Sequence, residues 1–65
     1  MQVRINQTPH LLPDHAHLAQ ALESAGFKPP FAVAINLQFI PKNQYAVTVL
    51  REGDEIEVIS PITGG

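Results

Sequence analysis

One stretch of this 65-residue chain has a helical pattern, and it lies between two stretches with β patterns. Residues 15–25 are mostly good helix formers, and their apolar residues recur at the i, i+3, i+4, i+7 spacing of one helix face. A single short helix cannot enclose its own apolar face, so that face must pack on a sheet. The face consists of Leu18, Ala21, Leu22 and Ala25.

The residues that flank this stretch indicate where the helix begins and ends. Asp14 follows Pro13 and precedes the helix formers, so we expect its carboxylate to cap the first free N–H groups. Gly26 stands where a left-handed residue commonly ends a helix. The helix is therefore predicted to start directly after Asp14 and to stop before Gly26.

A hairpin-like β unit is predicted on each side of the helix. Residues 1–6 alternate between polar and apolar, and residues 10–12 return after a turn. Residues 31–35 alternate again, and a turn at residues 36–38 leads to the short strand of Phe39 and Ile40. Two β units that flank one helix predict the order ββαββ.

The chain then returns for one more strand. Residues 42–47 have no clear period and read as irregular or as a single helical turn, with Tyr45 expected to fold inward. Thr48 to Leu50 brings the chain back, and Gly53 is suited to positive φ in the turn at residues 51–54. Residues 55–59 alternate as a last strand, which Pro61 ends because it has no N–H to donate.

Right-handed connections and a helix on one face place the first and last strands side by side and parallel in the middle of the sheet. This arrangement is an α+β fold, the β-grasp or ubiquitin-like roll, with a mixed four- to five-stranded sheet and one helix packed on one face. The predicted core comprises Val3, Ile5, Leu18, Leu22, Val33, Ile35, Leu50, Ile56 and Val58.

The helix covers only one face of such a sheet, so the other face is open to water or to a partner. Ala32, Ala34 and Ile59 are expected on this open face as a small, smooth and partly apolar docking surface for a partner. We divide the chain into a β-grasp domain, residues 1–60, and a flexible C-terminal tail, residues 61–65, that ends in Gly64 and Gly65. A glycine end can enter a channel that is too narrow for a side chain, although frayed ends are also often rich in glycine.

Composition excludes several classes of function. The chain has no cysteine, so it has neither a thiol nucleophile nor a thiolate metal site. Pockets that enclose a substrate typically need roughly 300 Å³ or more, which a domain of this size can hardly provide. His15 and His17 lie near Asp14, but residues two apart on a helix point in different directions, so we expect exposed histidines and no bound metal.

Four of the six acidic residues cluster around the start of the last strand, and the net charge is −2. Such a patch disfavours nucleic acid and favours a basic protein surface, and an ordinary solvated strand face is an equally good interpretation. No apolar run is long enough to cross a membrane and no signal-peptide pattern is present, so we expect a soluble, cytoplasmic protein. The four residues are Glu52, Asp54, Glu55 and Glu57.

Several segments match the pattern of a known family, namely the first hairpin, Leu12-Pro-Asp14, Ala34-Ile-Asn36, Phe39-Ile-Pro-Lys42, Tyr45-Ala46 with Thr48 and Leu50, Glu52-Gly-Asp54, Ile56-Glu-Val-Ile59 with Pro61, and Gly64-Gly65. Through these segments the sequence resembles the ThiS family, the sulfur carrier proteins of thiazole formation in thiamin biosynthesis, over essentially its whole length. The family commonly has Asn-Gly in both hairpin turns, where this chain has Asn6-Gln7 and Asn36-Leu37. Leucine is costly at positive φ, so we expect these turns to change type or to lengthen.

The resemblance implies a protein that is a co-substrate and not an enzyme. An E1-like adenylyltransferase of the ThiF type would use ATP and Mg²⁺ to adenylate the Gly65 carboxylate, with Ile62, Thr63 and Gly64 lying in its active site. A sulfurtransferase or cysteine desulfurase would supply sulfur, and a thiazole synthase of the ThiG type would consume the resulting thiocarboxylate. The chain itself would bind no cofactor.

Two other functions fit the same residues. The tail could serve molybdopterin or another biosynthetic sulfur transfer. Residues 12–14 and 50–59 also resemble TGS modules, which are regulatory or RNA-associated β-grasp domains. The acidic balance disfavours RNA, and such modules need no Gly-Gly end.

Overall fold

The computed structural model describes residues 1–60, and its element order agrees with the predicted one. Five strands and one α-helix form an α+β domain, with a short 3₁₀ turn before the last strand. The elements are β1 (Gln2–Ile5), β2 (Thr8–Leu11), α1 (Leu18–Ser24), β3 (Ala32–Ile35), β4 (Gln38–Ile40), the 3₁₀ turn (Lys42–Gln44) and β5 (Glu55–Ile59).

The five strands form one mixed sheet in the order β2-β1-β5-β3-β4. β1 and β5 are parallel neighbours, and every other neighbouring pair is antiparallel. The first and last strands of the chain therefore occupy the middle of the sheet, as predicted. This is the β-grasp topology, and it makes β5 the central strand.

One face of the sheet and the apolar face of α1 enclose the core. All nine predicted core residues are buried, and Leu18, Ile56, Val3 and Val33 are the largest side chains that are fully enclosed. Each such side chain stabilises the fold by roughly 1.5–3 kcal/mol relative to an exposed one. Three buried residues are missing from the predicted core, namely Leu12, Ala16 and Ala21.

The prediction that Asp14 caps the helix was wrong, because α1 starts three residues later than expected with His17 as its N-cap. His15 has a φ of 68°, a left-handed conformation that separates Asp14 from the helix. The Gln20 side chain accepts a hydrogen bond from the His17 N–H at 2.9 Å. Asp14 instead accepts a hydrogen bond from the N-terminal ammonium group at 3.4 Å.

The helix ends as the sequence predicts. Gly26 has a φ of 83°, and its N–H donates to the Glu23 carbonyl. The next N–H, that of Phe27, donates to the Leu22 carbonyl, which completes a Schellman motif.

The segment between β4 and β5 holds the start of the helix. As predicted, it contains one helical turn, and the half-buried Tyr45 ring stacks on Phe31 with centroids 5.9 Å apart. Thr48 to Leu50 forms only a single bridge, between Val49 and His17, and no strand. The Thr48 carbonyl accepts a hydrogen bond from the Leu18 N–H, and the Leu50 N–H donates to the Ala16 carbonyl.

The prediction that both hairpin turns change type or lengthen was also wrong. Each connection has two residues, and all four turn residues have positive φ, as the type I′ turn requires. Leu37 has a φ of 69° and an exposed fraction of 88%. It therefore takes a conformation that costs a side-chain-bearing residue roughly 1–2 kcal/mol, without burying its apolar surface.

This conformation predicts that Leu37→Gly stabilises the protein. Glycine adopts positive φ without a steric penalty, and the exposed leucine side chain loses no packing when it is removed. We expect the free energy of unfolding to rise by about 1 kcal/mol in urea denaturation, less than the full penalty because glycine also gains freedom in the unfolded chain.

Leu37→Ala is the matched control, because it removes the same exposed side chain but keeps a Cβ at positive φ. Its stability should lie within about 0.5 kcal/mol of wild type. A Leu37→Gly variant that is less stable than Leu37→Ala would contradict the strain at this turn.

Candidate functional site

The end of β5 is the part of the described chain that leads toward the predicted tail. Ile56 and Val58 point into the core, whereas Glu55, Glu57 and Ile59 point to the open face. The last ladder pair joins Ile59 to Ala32 of β3. Because β5 lies in the middle of the sheet, the residues after 60 follow directly from its central strand.

The residues predicted to enter a partner's active site lie outside the described part of the chain. They are Ile62, Thr63, Gly64 and Gly65. Their role and the division of the chain after residue 60 therefore stay predictions.

The three residues predicted to form a docking surface lie close together on the open face. Ala32 is exposed, Ala34 is half-buried, and Ile59 has an exposed fraction of 63%. Ala32 and Ile59 are paired across the ladder and line a shallow depression with Pro30 and Phe31. The arrangement gives an apolar surface directly beside the end of β5.

Phe39 extends this apolar surface and was missed as a site residue. Its register partner is Ala34, so it lies on the open face, and its exposed fraction is 64%. The neighbouring Ile40 packs against the core. Strand alternation at Ile40 was the signal that could have placed Phe39 on the opposite face.

The acidic cluster is partly structural. Glu52 accepts the Gln2 N–H at 2.9 Å, and Asp54 accepts the Arg51 N–H at 2.8 Å within the turn before β5. Glu55 contacts Arg4 across the parallel ladder at 3.1 Å. That pair is about half exposed, so it contributes well under about 1 kcal/mol.

A groove crosses β5 between the two hairpin turns. It is open to solvent, so it provides no enclosed cleft in which a substrate could be shielded from water. Within residues 1–60, no group of three or more histidine and acidic side chains could hold a metal ion. The groove is lined by Asn6, Gln7, Asn36, Leu37, Glu55, Ile56 and Glu57.

The two turn asparagines bind the backbone of β5 at opposite ends. Asn36 accepts the Glu55 N–H at 3.0 Å, and its amide donates to the Asp54 carboxylate at 3.1 Å. Asn6 accepts the Val58 N–H at 2.9 Å, and its amide donates to the Val58 carbonyl at 3.2 Å. Both side chains therefore extend the hydrogen bonding of the sheet beyond the strands that carry them.

The part of the chain that the structure describes contains no helix long and apolar enough to cross a membrane.

Comparison with known proteins identifies the family. The crystal structure of the thiamine biosynthesis protein ThiS from Geobacter metallireducens matches with a TM-score of 0.82 and 17% identity, covering 100% of both chains. At that identity the likeness establishes the β-grasp fold. No curated protein matches the sequence. The model of the ThiS family matches residues 3–65, which is nearly the whole chain, and this protein therefore belongs to the ThiS family.

Proposed function

We propose that this protein is a sulfur carrier of thiamin biosynthesis whose working group is the Gly65 carboxylate. One observation carries the proposal: the central strand of a small domain is followed directly by the segment that ends in Gly64 and Gly65. The family match and the open groove, which offers no enclosed site for a substrate, also support a protein that other enzymes act upon. In this role the protein is a co-substrate and not an enzyme.

The chemistry follows from the poor reactivity of a carboxylate. A carboxylate oxygen of Gly65 attacks the α-phosphorus of ATP in a partner adenylyltransferase of the ThiF type, and pyrophosphate leaves. A persulfide carried by a sulfurtransferase, or formed by a cysteine desulfurase, then attacks the carbonyl carbon and displaces AMP. Reduction of the acyl disulfide by a thiol leaves the thiocarboxylate, which a thiazole synthase of the ThiG type consumes.

Length and residue type suit the tail to this role. Residues 60–65 can span about 20 Å when extended, at about 3.3 Å per residue, so the end can reach a buried site while the domain stays outside. Glycine has no Cβ, which leaves the carbonyl carbon open to attack from either side. Ile62 and Thr63 would lie inside the partner's channel, just before the two glycines in the sequence.

The open face supplies the docking surface in this proposal. Ala32, Ala34 and Ile59 form its predicted part, and Phe39 enlarges it. Small side chains allow close approach of a partner, and the two large ones offer apolar area to bury. ATP and Mg²⁺ bind to the partner enzyme.

Extension of the chain by one alanine after Gly65 tests the role of the terminal carboxylate. The extension moves the carboxylate beyond the glycine and adds a methyl group, so we expect ATP–pyrophosphate exchange by the adenylyltransferase to fall to background. Far-ultraviolet circular dichroism should stay that of wild type, because the added residue follows all of the residues that form the described strands and helix.

The same alanine inserted before Met1 is the control, because it lengthens the chain equally at the other end. Exchange at the wild-type rate with the C-terminally extended protein would contradict the proposal.

Ile59→Ser tests the docking surface. It removes apolar area that the partner would bury, worth roughly 1.5 kcal/mol, so KM for the carrier should rise about tenfold. The turnover number at saturating carrier should change much less. Steady-state adenylation kinetics provide both values.

Val47→Ser is the matched control, because Val47 is exposed to 66% but lies in the segment that packs beside the helix. Its KM should equal that of wild type. Equal KM values for the Ile59 and Val47 variants would show that the open face is not part of the interface.

A further inference from the structure

The N–H and carbonyl groups of Val58 lie on the β1 side of β5 but beyond the end of β1. The Arg4 and Asn6 N–H groups donate to the carbonyls of Asp54 and Ile56. The backbone groups of every second residue from Asp54 onward therefore face β1. Val58 is the next residue on that side. At this point β1 has ended and the chain has turned at Asn6 and Gln7.

The Asn6 side chain takes the place of the missing strand. Its carbonyl oxygen accepts the Val58 N–H at 2.9 Å and its amide nitrogen donates to the Val58 carbonyl at 3.2 Å. Both bonds are partly buried and join residues 52 positions apart. They satisfy two backbone groups that would otherwise lack a protein partner on this side.

From this geometry we infer that Asn6 is a positioning residue for the C-terminal acyl group. The neighbours of Val58, Glu57 and Ile59, pair with β3, whereas the N–H and carbonyl of Val58 itself bond to the Asn6 side chain, one residue before the last ladder pair. Without Asn6 the end of β5 becomes an edge strand that is held from one side. The tail then departs from a less defined point, and small displacements of a reacting group reduce its rate of reaction strongly.

The inference rests on the proposed function for its consequence, because the positioned group is the carboxylate that the partner adenylates. Its structural part concerns Val58 alone. Two separate measurements can therefore test the two parts.

Asn6→Gly removes the side-chain bonds and keeps a residue suited to the φ of 51° at this position. Amide hydrogen exchange should show the Val58 N–H exchanging about tenfold faster relative to that of Ile56, because Val58 loses its acceptor. In adenylation, kcat should fall about fivefold or more while KM for the carrier stays within about twofold of wild type.

Asn36→Gly is the matched control. Asn36 has a φ of 50°, occupies the equivalent place in its turn, and binds the backbone of β5 at the entry end. This variant should lose comparable stability in urea but keep the wild-type exchange ratio and kcat. An unchanged ratio in Asn6→Gly, or an equal loss of kcat in both variants, would overturn the inference.

Wild-type protein must be adenylated for the kinetic comparison. If it is not, the proposed function fails, and the exchange ratio alone still decides whether Asn6 holds Val58.

Discussion

Hydrogen bonding on both sides of β5 is the interaction on which the rest of this structure depends. β1 lies parallel on one side, β3 lies antiparallel on the other, and asparagine side chains continue the bonding at both ends. Because β5 joins the two hairpins, its loss would divide the sheet into pairs of strands that are marginal in water. The strand that completes the fold is thus also the strand that leads to the tail.

The two faces of the sheet that contains β5 differ in burial. One face packs under α1 and contributes the buried side chains, among them Ile56 and Val58. The other face carries exposed apolar residues beside charged ones, and the Arg4–Glu55 pair lies across its centre. Burial therefore stabilises the domain from one side only, and the second side of the sheet stays exposed.

Local patterns predicted the features that depend on local periodicity. Alternation placed Val33 and Ile35 inward, and helical spacing placed Leu18 and Leu22 against the sheet. Local patterns could not predict the helix start. The backbone is left-handed at His15, and the next residue, Ala16, accepts a hydrogen bond from the distant Leu50 N–H. The turns and the Asn6–Val58 bonds likewise depend on residues distant in the sequence, and the predicted tail lies outside the described residues.

In the proposed function, a small domain carries an acyl end that other enzymes load with sulfur. The decisive experiment is an intact-mass measurement after incubation of the protein with the adenylyltransferase, ATP, Mg²⁺ and a persulfide donor. The mass should increase by the exchange of one oxygen for sulfur, located by fragmentation at Gly65. An unchanged mass, or sulfur found at any other residue, would contradict the proposed function.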